Sequence, residues 1–77
     1  MNTPLTDVVV HIDETLSEDA LHTLEQGVRE DEGVVSIGHS SGQKHLLMMV
    51  YDADVTHAAT LLHRFQRHGL HAQLIGF

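Results

Sequence analysis

The chain has 77 residues, 42% of them hydrophobic, which fits one small folded domain spanning 1–77 rather than a disordered chain. Its formal charge of −7, with four Lys and Arg against eleven Asp and Glu, excludes nucleic acid as a partner, because phosphate binding needs a basic patch. No apolar run reaches membrane-spanning length, and the absence of Cys excludes disulfides and thiol catalysis.

Residues 1–5 are expected to form a short tail, within a first seven residues that read MNTPLTD. They lack the basic and apolar regions of a signal peptide, which leads us to expect a cytoplasmic protein. Thr6 to Ile12 is expected to form a strand, with Val8, Val9 and Val10 supplying β-branched residues. Ser17 is the expected N-cap of a first helix, and Glu18 and Asp19 suit the positive end of its dipole. Leu21, Leu24 and Val28 recur at helical spacing, and Gly33 can take the positive φ that ends the segment. Val34 to His39 is a second strand, Ser40-Ser41-Gly42-Gln43 a hairpin turn, and His45 to Tyr51 a third strand. Thr56 is the expected N-cap of a second helix with Ala58, Leu61, Leu62 and Phe65 on its apolar stripe. Gly69 stops that helix, and His71 to Phe77 is a fourth strand.

The order is βαββαβ. Two strand–helix–strand halves joined by a hairpin imply an α+β, ferredoxin-like sandwich: a four-stranded antiparallel sheet with both helices on one face. The strand, loop and helix from Ile12 to Ile37 resemble the heavy-metal-associated (HMA) domain of copper chaperones and metal-pumping ATPases. Gly33-Val34, Tyr51-Asp52, Asp54-Val55-Thr56 and Gly69 sit where that family has similar residues, so the resemblance covers nearly everything beyond the tail. The hairpin is one residue longer than the resemblance implies, and the second helix is slightly long.

HMA domains hold soft metal ions with Met-x-Cys-x-x-Cys at the junction of loop and helix. Matched without gaps, that motif falls here on Thr15, Ser17 and Ala20, none of which offers a thiolate. Asp13, Glu14, Glu18 and Asp19 lack the ligand spacing of an EF-hand loop and are expected to form a solvated acidic loop or docking patch.

Eight His remain as ligands that would favour Ni(II), Zn(II) or Cu(II). His39 and His45 flank the hairpin and are expected to oppose each other across it, with His11 next in rank. A symmetric dimer would raise two ligands to four. His22 is expected to pair with Glu18 on the helix surface. His68 suits the negative end of the second helix and is placed to meet His71 around Gly69. Full protonation of the eight rings would move the formal charge from −7 to +1.

The strands are apolar on both sides. Val8, Val10, Ile12, Leu47, Met49, Tyr51, Ala72 and Leu74 fit the core face, leaving Val9, Leu46, Met48, Val50, Ile75 and Phe77 contiguous on the open face. An antiparallel sheet with one solvated face should alternate cleanly, so this pattern implies cover on both sides. Six such side chains burying about 40 Å² each would gain on the order of 6 kcal/mol per subunit before the cost of association. The expectation is a non-enzymatic, HMA-like association module, a homodimer or a partner's docking site, within a metal-handling system. His11 beside the patch would act as a pH-sensitive gate. The alternatives are a His-ligated metallochaperone and a cofactor-free ferredoxin-like enzyme, although no catalytic motif stands out.

Overall fold

The computed structural model describes residues 4–76. Its elements follow the expected order: β1 (Leu5–Ile12), α1 (Glu18–Arg29), β2 (Val34–Gly38), β3 (Leu46–Asp52), α2 (Ala58–Arg67) and β4 (Ala72–Gly76). The strands form one antiparallel sheet in the order β2-β3-β1-β4, so β1 and β3 are central.

Alternation sets which side of each strand meets the helices. Val8, Val10 and Ile12 of β1 are buried, as are Leu47, Met49 and Tyr51 of β3. They pack with Leu21, Leu24 and Val28 of α1 and Leu61 and Phe65 of α2 in one core cluster. Side chains of this kind gain roughly 1.5–3 kcal/mol each on full burial, which makes the cluster the main stabiliser of so small a sheet.

Both edge strands carry an irregularity. Val34 pairs with Tyr51 and Ser36 with Val50, leaving Val35 as an extra residue in β2. Val10 pairs with Leu74 and Val9 with Gly76, leaving Ile75 as the extra residue in β4. Such bulges twist an edge and discourage strand addition there.

The helix starts differ in chemistry. Ser17 caps α1 as expected, its Oγ accepting the Ala20 N–H at 3.1 Å. Thr56 does not cap α2, which begins one residue later behind His57, a residue with no capping side-chain bond. Thr56 is instead buried, its N–H donating to the Asp52 carbonyl at 3.0 Å. Its methyl packs against Gly33, where a Cβ would lie only 2.9 Å from Thr56 Cγ2. Gly33 also has φ +93°, so both backbone and space require glycine there.

Candidate functional site

The loop between β1 and α1 carries the positions matched to the HMA metal motif. Thr15, Ser17 and Ala20 are all exposed. Ser17 Oγ is engaged as the cap acceptor, and Ala20 offers no donor atom. These residues do not fit a Cu(I) ion, which needs soft ligands.

Asp13, Glu14 and Glu18 of this region are engaged with histidines rather than gathered into a cage. Glu14 grips the start of β4: its carboxylate accepts the His71 backbone N–H at 2.9 Å and the His71 Nδ1–H at 2.6 Å. That contact holds the Glu14 carboxyl below the usual carboxylate range, the side-chain bond contributing most and the backbone bond next. It raises the His71 ring above the ordinary imidazole value, again chiefly through the side-chain bond. Asp13 lies 3.2 Å from His11 Nδ1. Among the described residues, no group of three or more His, Cys, Asp or Glu is placed to hold a metal ion.

His39 is held between two carboxylates of α1. Nδ1 lies 2.7 Å from Glu25 Oε2 and Nε2 lies 3.1 Å from Glu18 Oε2. A neutral imidazole has one N–H and can serve only one of these acceptors as donor, so the geometry fits the imidazolium. The ring is accordingly raised above its ordinary value, with the Glu25 bond the largest cause, partial burial opposing and Glu18 assisting. Glu25 is itself only 6% exposed, and the protonated ring supplies the partner a buried carboxylate requires.

The expected opposition of His39 and His45 does not occur. The β2–β3 register sets Gly38 against Met48, so a partner for His39 would fall at Leu47 rather than at His45. His45 turns toward β1, its Nδ1–H donating to the Ile12 carbonyl at 2.7 Å. There it stacks on His11, ring centroids 6.0 Å apart and planes 19° from parallel. His22 pairs with Gln26 at 3.2 Å rather than with Glu18, which is drawn away by His39. His68 is the C-cap of α2, as its position at the negative helix end allows, and His71 goes to Glu14 instead of meeting it.

Two surfaces among the described residues bear on the apolar pattern. A groove of about 400 Å³ lies beside the start of α1, lined by Leu16, Asp19, Ala20, Thr23, Leu24, His68 and Leu70. The second is the helix-free side of the sheet. There Val9, Leu46 and Val50 are half-buried by their neighbours, while Met48 is 61% and Ile75 53% exposed. Val9 and Met48 are direct cross-strand partners at the middle of this face. Phe77, expected on the same face, lies outside the described residues. The space between sheet and helices is filled by Phe65, Ile12, Leu21, Leu47, Met49 and Leu61, each less than 2% exposed.

The fold matches solved metal-binding domains over nearly its whole length. A putative copper-ion-binding protein from Bacillus anthracis superimposes with a TM-score of 0.81 at 12% identity, covering 94% of this chain and 100% of that one. A copper-binding domain from HMA7, a P-type ATPase, gives 0.80 at 13% identity, covering 91% and 93%. Oxidized MerP from Ralstonia metallidurans gives 0.78 at 13% identity, covering 91% and 96%. This is the heavy-metal-associated fold. No family model matches the sequence and no curated protein does. At these identities the HMA likeness is one of architecture, and activity has to be argued from the chain's own residues.

Proposed function

We propose that this chain is a non-enzymatic association module on the HMA fold, acting through its open sheet face within a metal-handling system. The observation that carries the reading is the apolar stripe of Val9, Leu46, Met48 and Val50 on the side of the sheet that no helix covers. Contiguous exposed apolar surface of this kind marks an interaction site. The bulges at Val35 and Ile75 disfavour strand addition at either edge, which supports the face over the edges as the surface for contact. The metal-handling context is supported by the copper-binding domains that share the fold. The non-enzymatic reading is supported by the filled core between sheet and helices.

The test is site-specific crosslinking in cells that make the protein. A photoreactive side chain at position 48 should form a discrete adduct, and one at position 60, on the exposed side of α2, should not. Equal labelling from both positions, or none from 48, would remove the reading.

A further inference from the structure

Two titratable side chains flank the apolar centre of the open face. On β1, Asp7, Val9 and His11 share that face, opposite Val50, Met48 and Leu46 of β3. Asp7 and His11 therefore stand equally far, about 7 Å, on either side of the Val9–Met48 pair. Asp7 is exposed and the His11 side chain is 38% exposed.

A two-fold axis that brings two such faces together must lie in the plane between them. If it ran along the strands, β1 would cover β3, setting Asp7 against Val50 and His11 against Leu46. Asp7 would then be desolvated against a hydrocarbon side chain, and His11 would keep only its Asp13 contact, which is costly. If it runs across the strands through Val9 and Met48, β1 covers β1 with its direction reversed. Each Asp7 then meets the other copy's His11, twice by symmetry, while Met48 packs on Met48. Sheets packed in this way sit about 10 Å apart, within reach of these side chains.

We propose that the open face forms an isologous dimer in this second orientation, with reciprocal Asp7–His11 contacts flanking a Val9–Met48 centre. The proposal rests on the reading of the open face as an association surface and names what occupies it. His11 also meets Asp13 at 3.2 Å and the His45 ring within its own chain. The Asp13 contact is exposed and therefore weak, and it engages only Nδ1 of the ring. Four strands about 4.8 Å apart, some six residues long, present roughly 400 Å². A standard interface needs about 800 Å² per partner, so the dimer is weak and its charges set orientation more than strength.

Sedimentation equilibrium tests this on the wild type, Asp7→Lys, His11→Glu, the double variant and Met48→Lys. Circular dichroism confirms that each variant is folded. The expected result is a wild-type dimer weakened about tenfold or more by each single charge reversal and restored to within about threefold in the double variant. A dimer lost in Met48→Lys but indifferent to the charge changes overturns the orientation and leaves the association reading standing. A wild type monomeric to about 1 mM overturns the second copy as occupant, and crosslinking from position 48 then decides the reading by itself. A dimer untouched by Met48→Lys overturns both.

Discussion

His39 carries the most consequential side-chain contacts in the chain, because it joins the end of β2 to α1 through Glu25 and Glu18. Its folded pKa is raised. Its stabilising contribution is therefore complete below the unfolded imidazole value of about 6.5 and is lost as pH rises through the raised folded value. The melting temperature lost in His39→Ala should thus be larger at pH 6 than at pH 9. A gap independent of pH would show that the ring is held neutral. Glu14 and His71 shift in opposite senses. Glu14 contributes above the usual carboxylate range and loses its contribution as pH falls through its lowered value, while His71 loses its own as pH rises through its raised value. The cost of Glu14→Gln should accordingly peak between those limits and shrink on both sides, as thermal melts across pH would show. None of these pairs was legible in the sequence. His39 and Glu18 are 21 positions apart and His71 and Glu14 are 57 apart. No local spacing rule spans such separations, so helical proximity assigned Glu18 to His22 instead. A buried Glu25 on an otherwise apolar helix face was the one available signal, since its position between Leu24 and Val28 lies close to the core stripe.

The elements themselves were readable, because strand alternation and helical spacing are local patterns that burial enforces. Val8, Val10 and Ile12 face the core for the same reason that Val9 and His11 do not. What escaped were features set by contacts between elements. The register depends on how β2 meets β3: Gly38 pairs with Met48, which sets position 39 against Leu47, and without the extra residue at Val35 it would fall at Leu46, so neither register opposes His39 to His45. The start of α2 moved because Thr56 is more useful filling the space beside Gly33 than capping. This leaves α2 starting behind His57 with neither a side-chain cap nor an acid in its first turn. His57→Asp should supply both and raise stability by about 1 kcal/mol. Urea unfolding measures it directly, and no gain would mean that the first turn of α2 already finds water or backbone partners of equal quality.

At the scale of the whole molecule, the HMA fold is present while the loop positions matched to its metal motif, Thr15, Ser17 and Ala20, carry no thiolate. The loop that would carry two thiolates ends instead in a Ser17 cap, and Glu14 fastens that loop to the start of β4. If architecture alone were sufficient for soft-metal binding, restoring the ligands would restore the site. Ser17 and Ala20 are exposed and one helical turn apart, with the Ala20 N–H pointing at the Ser17 side chain. Two thiolates there would share one edge of the helix start, where the dipole and unpaired N–H groups favour the anionic form. Ser17→Cys with Ala20→Cys should therefore bind one Cu(I) per chain in anaerobic competition with a chromophoric chelator, at least about a hundredfold tighter than the wild type. The Glu14–His71 contact opposes this, because a metal loop must move to admit its ion and this loop is fastened at one end. Adding Glu14→Gln to the paired cysteines should then tighten Cu(I) binding further. Equal affinity with and without Glu14 would show that the fastening leaves the loop free. Failure of the folded cysteine variant to bind at all would show that the loop backbone of this chain does not place the two thiolates for one ion.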